Sequence, residues 1–520
     1  MVSAEAPPAA EPDSSDLDLS LTGTYRVSFE GIGDMRVDSL GRTYNQNELI
    51  THRLAFTPTL TLFKSMELHA DVQLATGFLS YDATDRWFVR EDEQGRLESF
   101  GPPRMGDGAA FGHGRSFADQ LALRKLYFTW TTMIGQLRVG RMASDWGLGI
   151  LANGGDREQQ DWGSPRFGKD RNYGDVVNRV MIATRPFIFM SPERWAKRWT
   201  AVLGADVVER DERIELRQGD VAPQIIGAVR YAKGDRQLGF YVAHRRLTDR
   251  RADTLNVTAL DVTGRNFWSV GDVTIKAEGE LAWVLGDTTL GRNNAFTGVD
   301  PATGGSDPLL VQQLGYVLRA GATYDPLNLG GELELGYASG DSNTNDGFVR
   351  NFTFDPDYNP SLILFDQLRA AETVAAAANA SDPARVGIPA DAVELVPTNG
   401  SVTNAIYLKP TIRFAWEDFG VRVAALWAWA EEDVFDPYGS NSDGGGAALN
   451  YQGGDGSQRD LGLEFDVGVD YTYRLDTWAE FHASVQGGYL LPGSAFENAE
   501  GVRVDPIGMV YGRLMVRWLP

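Results

Sequence analysis

The sequence predicts an all-β protein, a transmembrane antiparallel β-barrel of about 18 strands with long extracellular loops and short periplasmic turns. Three observations predict it. The first is a long period of two: Leu17, Leu19, Leu21, Gly23, Tyr25, Val27 and Phe29 alternate with Asp18, Ser20, Thr22, Thr24, Arg26, Ser28 and Glu30. A soluble strand runs about five or six residues, whereas a tilted bilayer crossing needs about ten, so the length carries the signal. The second is what lies opposite the apolar residues. Leu461, Leu463, Phe465, Val467, Val469, Tyr471 and Tyr473 face away from Gly462, Glu464, Asp466, Gly468, Asp470 and Thr472, a set that a packed core could not hold and a wet lumen can. The third is the connectors, which alternate between short turns such as 233–236, 325–330 and 475–477 and long excursions such as 81–117, 339–403 and 431–457.

In chain order, segments of this pattern begin near residues 17, 49, 66, 120, 135, 175, 198, 223, 237, 252, 268, 312, 331, 405, 420, 458, 478 and 506. Residues 1–16, rich in Ala, Pro and Glu, form a flexible N-terminal linker without a basic or apolar leader, as expected of a mature form whose signal peptide has been removed. Residues 17–520 make a single barrel domain with long loops near 81–117, 144–174, 287–311, 339–404 and 431–457. Both ends of the chain then lie on the short-turn side, and the last strand sends Gly512, Leu514, Val516 and Trp518 outward and Tyr511, Arg513, Met515 and Arg517 inward. Trp130, Trp416, Trp427, Trp429 and Trp518 belong to outward girdles at head-group depth, and Trp146 suits the interface as well.

Composition excludes several classes. The 520 residues contain no cysteine, which removes disulfides, thiolate metal sites and thiol nucleophiles together. Seventy-one acidic against 48 basic side chains give a net charge of -23, which argues against nucleic acid, whose phosphates need a basic footprint. No apolar run approaches the roughly 20 residues of a spanning helix.

Three blocks carry a family resemblance. Residues 136–153 (QLRVGRMASDWGLGILAN) resemble a strand and loop of Gram-negative porin-like barrels. Residues 337–366 and 488–496 (GYLLPGSAF) resemble blocks of alginate-export-type barrels and of a related uncharacterised outer-membrane family. The resemblance implies an outer-membrane channel and leaves Arg141 open between a wall residue and a substrate contact. Gly140 and Gly147 suit close backbone approach or a turn.

Alternation assigns to the lumen Arg26, Arg53, Lys125, Arg138, Arg230, Lys276, Lys409, Arg413, Arg422, Arg513 and Arg517, with Glu67, Asp71, Glu278, Glu280, Glu332, Glu334, Asp466, Asp470 and Glu480 between them. A mixed lining that includes Tyr127 and Tyr241 suits hydrated, weakly charged solutes such as sugars, and the same charges serve equally as ion pairs that stiffen the wall. After Pro360 and the N-cap Ser361, LILFDQLRAAETVAAAANA is a helix-forming run with Leu364, Leu368 and Ala371 on one stripe and Asp366, Arg369 and Glu372 beside it. Folded back into the lumen, it would set the bore through Leu364, Leu368 and Arg369. Asp341, Asn343 and Asn345, followed by Asp346 and Gly347, approach the oxygen spacing of a calcium loop without its closing Glu. His244, Arg245, Arg246, Arg250 and Arg251 cluster where lipopolysaccharide phosphates would meet guanidinium groups. Arg194, Trp195, Lys197, Arg198 and Trp199 combine aromatic anchors with charges suited to inner-leaflet head groups or to a periplasmic export partner.

The five histidines show no metal spacing, and there is neither a nucleophile elbow nor a phosphate loop. His69 with Asp71 is the one acid-base pair that a barrel hydrolase could use. The expectation is therefore a non-enzymatic outer-membrane channel passing hydrophilic solutes, sugars or exported polysaccharide among them. A structural or adhesive surface barrel with a closed pore is the alternative, and a barrel hydrolase a minor one.

Overall fold

Eighteen long strands close into one antiparallel barrel. In chain order they are β1 (Leu17–Ile32), β2 (Glu48–Leu62), β3 (Met66–Tyr81), β4 (Ala122–Thr131), β5 (Gln136–Ala143), β6 (Val176–Thr184), β7 (Trp199–Arg210), β8 (Pro223–Lys233) and β9 (Arg236–Thr248). The second half comprises β10 (Thr254–Val270), β11 (Val273–Thr288), β12 (Leu309–Tyr324), β13 (Leu329–Ala338), β14 (Ala405–Trp416), β15 (Phe419–Trp429), β16 (Asp460–Arg474), β17 (Ala479–Pro492) and β18 (Ile507–Trp518). The computed structural model describes residues 17–519 except 45–47, 82–88, 92–96, 100–121, 156–159, 162–163, 166, 168–173, 192, 212–213, 215, 217–218, 250–251, 291–307, 344–345, 382–397, 399 and 443–446. The linker 1–16 and the greater part of the 81–117 and 287–311 excursions lie outside the described residues.

Each strand pairs with its sequence neighbours, and β1 closes the ring by pairing with β2 on one edge and β18 on the other, from Gly23 opposite Trp518 to Ile32 opposite Met509. Closure leaves no free edge, as hydrocarbon requires of a sheet. The strands are joined by nine connections at one rim and eight at the other. At the second rim most are two to four residues long; the exception is 185–198.

The burial pattern is inside out. On β16, Phe465, Val467 and Val469 are 46%, 48% and 44% exposed, while Glu464 and Asp466 between them are 0% and 2% exposed. An apolar outer belt and a buried polar inner face are what a lipid surround and an aqueous or loop-filled lumen select. Leu461 departs from its expected outward position and is buried. The cause is a bulge: Gly462 takes φ +105° and the β15–β16 register slips beside Trp429, so the side chain before the bulge changes face. The segment expected near residue 268 begins instead at Val273, because β10 carries its alternation through Trp268 to Val270 before turning.

A loop-filled lumen as the candidate functional site

The connection from β13 to β14 enters the barrel. Its aromatic run packs edge to face, Phe352 on Phe354 at 5.8 Å and Phe354 on Tyr358 at 5.5 Å. Tyr358 Oη donates to Glu334 Oε1 at 3.0 Å and accepts from Arg319 Nη2 at 2.6 Å, so the loop is tied to β12 and β13. Tyr407 on β14 donates to the same Glu334 oxygen at 2.6 Å. Gly336 makes this possible, since any Cβ there would occupy the space of the Tyr407 ring. Beyond Pro360, whose carbonyl accepts from Lys409 Nζ, the Glu464 carboxylate receives three successive backbone N–H groups, from Leu362 (2.7 Å), Ile363 (2.8 Å) and Leu364 (2.7 Å). A buried carboxylate holding three amides is both satisfied and hard to displace. Gln367 Nε2 donates to Glu30 Oε1 at 2.9 Å, carrying the attachment round to β1.

The expected helix is present, with a difference. Ile363, not Ser361, takes the N-cap position; Ser361 Oγ accepts from Phe365 N at 3.0 Å from two residues farther out, a π-helical turn covers Leu364–Leu368, and the α-helix α1 spans Arg369–Ser381. Instead of a single apolar stripe on a wet helix, every side is enclosed: Leu364, Leu368 and Ala371 are buried, and so are Asp366, Gln367, Glu372 and Thr373. Glu372 is met by Arg369 (3.4 Å) and by Gln452 Nε2 (2.8 Å). Burial pushes the Glu372 carboxyl up to about 7, against the downward pull of Arg369 and Gln452. Leu362, Ile363, Leu364, Phe365 and Leu368 join Tyr407, Leu426, Leu490, Phe496 and Met509 in one apolar core inside the barrel. Burying those five loop side chains is worth on the order of 10 kcal/mol, an upper estimate.

A second loop, between β5 and β6, meets the first. Trp146 Nε1 donates to Asp261 Oδ1 at 2.7 Å and its ring stacks on Tyr241 at 5.2 Å, while Glu280 accepts the N–H groups of Leu148 and, at 2.8 Å, Gly149. Asn153 N donates to Asp355 Oδ2 (3.1 Å) and Gly174 N to Asp357 Oδ2 (2.6 Å), so the two loops are joined to each other. Phe167 of this loop lies under two cations, Lys409 at 5.1 Å and Arg422 at 4.8 Å. Trp146 is thus a lumen residue and corrects the interface expectation.

Many of the charged wall residues form pairs. Lys276 bridges Glu278 at 3.0 Å, Arg319 bridges Glu278 and Glu334 at 3.3 and 2.9 Å, and Arg413 lies 3.6 Å from Glu332. Arg422 pairs with Asp470, and Arg517 lies 3.8 Å from Glu480. Asp71 lies between Lys125 (3.8 Å) and Arg124 (3.9 Å). Asp466 is buried near Glu464, Lys409 and Arg422; Arg26 stands in register with Arg53 and Arg513 with Ser484 across neighbouring strands. Three arginines on the β5–β10 arc lack a carboxylate partner among the described residues. Arg138 stands over Tyr127 (5.9 Å), Arg265 over Phe267 (5.8 Å), and Arg230 donates to Gln237.

Several assignments change. His69 Nε2 is 3.0 Å from Glu67 Oε2 rather than paired with Asp71, and its Nδ1 is 3.2 Å from Thr59 Oγ1. The arrangement recurs at His482, between Thr472 (3.0 Å) and Glu480 (3.5 Å), again across a hairpin near its short turn. Each of the two histidines ties adjacent strands across its hairpin. Arg245 points inward and pairs with Asp211 at 2.6 Å, so it leaves the lipid-contact set; Arg246 is exposed, and Arg250 and Arg251 lie outside the described residues. Arg141 bridges Glu209 at 2.7 Å, a wall role. In the calcium-like loop Asp341 and Asp346 both turn onto Arg350, at 3.2 and 2.9 Å, and the bond to Asp346 is the first cause of that arginine's raised pKa. Asn343 N donates to Asp341, and Asn345 lies outside the described residues. Trp195 is exposed and Trp199 half-buried.

No protein-family profile and no curated protein matches the chain. Solved structures do. OccK9 (OpdG) of Pseudomonas aeruginosa aligns with 9% identity and a TM-score of 0.50 over 96% of this chain and 98% of that one. OccK11 (OpdR) of the same organism gives 9%, 0.48, 96% and 95%, and OccK2 (OpdF), solved in complex with glucuronate, gives 10%, 0.47, 96% and 98%. The likeness to OccK9 is one of fold, and it extends over nearly the whole length.

Proposed function

We propose that this chain is an outer-membrane channel that admits small hydrophilic solutes through a lumen narrowed by two inserted loops. The carrying observation is the seat of the 339–404 loop: three backbone amides on Glu464 and an apolar core hold it across the inner wall. A barrel of about 18 strands is otherwise wide enough for an aqueous channel, and an inserted loop is the means of limiting it. Short turns face the periplasm and long loops the exterior in barrels of this kind. A wall of ion pairs interspersed with tyrosines favours polar, hydrated solutes. A polymer in export would have to displace both loops, so small solutes are preferred here over polysaccharide.

The completeness of the apolar core supports a second reading, a barrel whose pore stays shut. One experiment separates the two. Residues 362–380 are excised and replaced by a short Gly/Ser link, and assembly is checked by the change in electrophoretic mobility on boiling. In planar bilayers the native protein should conduct in small steps and the deletion in markedly larger ones. A silent native protein with a conducting deletion would establish the closed barrel, and unchanged conductance would remove the loop from the constriction.

A further inference from the structure

The 185–198 connection stands apart from the other connections of its rim. It folds into two 3₁₀ turns, Pro186–Phe189 and Ala196–Arg198, packed through Phe187 on Trp195 (5.6 Å) and Trp199 (5.9 Å), with Trp199 on Tyr231 at 5.1 Å. This aromatic scaffold presents unburied apolar tips: Phe189 is 63% and Met190 78% exposed. On the adjoining 132–135 turn, held by a 2.5 Å bond from Thr184 Oγ1 to Ile134 O, Met133 is 95% exposed. Arg185, Arg194 and Lys197 are exposed, and the one acidic residue of the segment is Glu193. The tight turns of the rim carry Asp235, Asp272, Asp325, Glu417, Asp418 and Asp476 against Lys64, with Lys233, Arg236 and Arg474 at their edges.

We propose that this segment is a binding site for anionic phospholipid in the leaflet at the short-turn rim, apolar tips among the acyl chains and the three cations on head-group phosphates. Two observations favour lipid over a protein partner. The patch continues the lipid-facing belt, since Val180, Ile182 and Leu203 on the two flanking strands are exposed outward. Its charge is opposite to that of a protein with net charge -23, so it attracts an anionic surface. Aromatic rings with adjacent Arg and Lys are the side chains that prefer head-group depth.

The test uses the full chain in detergent, titrated with palmitoyl-oleoyl phosphatidylglycerol or phosphatidylcholine and read by native mass spectrometry. The native protein should retain phosphatidylglycerol preferentially, and raising the salt should erase the preference. Each basic group at an anionic surface is worth about fivefold in affinity, so R185Q/R194Q/K197Q should lose at least roughly tenfold of it. Should that variant fail to assemble, E193Q, which removes the one opposing charge, should strengthen the preference. Equal retention of both lipids by the native protein would overturn the proposal and leave the patch to a protein partner. So would a preference untouched by salt and by either variant.

Discussion

At the scale of single residues, the lumen is governed by which charges find partners. Carboxylates such as Glu278, Glu334 and Asp470 each sit against a cation, so they contribute little net field, whereas Arg138, Arg230 and Arg265 have no described carboxylate to neutralise them. Three unit charges acting at about 10 Å through water are together worth about 1 kcal/mol on a passing ion. The channel should therefore favour anions, and R138Q/R230Q/R265Q should lower the chloride-to-potassium permeability ratio about fivefold. The reversal potential across a potassium chloride gradient measures this. An unshifted potential would show that these arginines do not face the conduction path.

Among elements, the inserted loop with α1 has a titratable lock. Glu372 is held by Arg369 and by Gln452, which reaches in from the 430–459 connection and also accepts from Arg36 Nε at 2.8 Å. Burial raises its carboxyl from the usual 4.5 to about 7. The folded chain thus holds this proton more tightly than the unfolded chain does. The associated stability is complete below about 4.5 and is lost as pH rises through about 7, a change of about 3 kcal/mol in magnitude. Amide exchange in α1 should accordingly be slower at pH 5 than at pH 8, after correction for intrinsic rates. E372Q should flatten that dependence. Equal dependence in the two proteins would mean that the lock titrates elsewhere.

For the whole molecule, the decisive property is that it is apolar outside and polar or loop-filled within. Trp130, Trp416 and Trp427 are 41%, 62% and 50% exposed on the outer face, while Trp146 is bonded to Asp261 inside. Brominated lipid should quench most of the tryptophan fluorescence of the reconstituted protein, and W146F should raise the quenched fraction by removing a shielded emitter. Tryptophans insensitive to the quencher would invert the assignment of faces.

The barrel itself was legible in the sequence. A strand that is lipid-facing on one side and polar on the other writes its period of two directly into residues such as those from Phe465 to Asp470, and closure requires only neighbours in order. Exceptions arose where the backbone slips, as at Gly462, because a bulge leaves no pattern in residue types. The inward position of Glu464 also followed from alternation, but its partners did not. Which loop amides Glu464 would hold, that Arg319 would reach Tyr358, and that Trp146 would cross to Asp261 depend on contacts between residues 102, 39 and 115 positions apart. Local periodicity fixes which way a side chain points. Only the closed barrel, by bringing distant loops into one confined space, decides what it meets there.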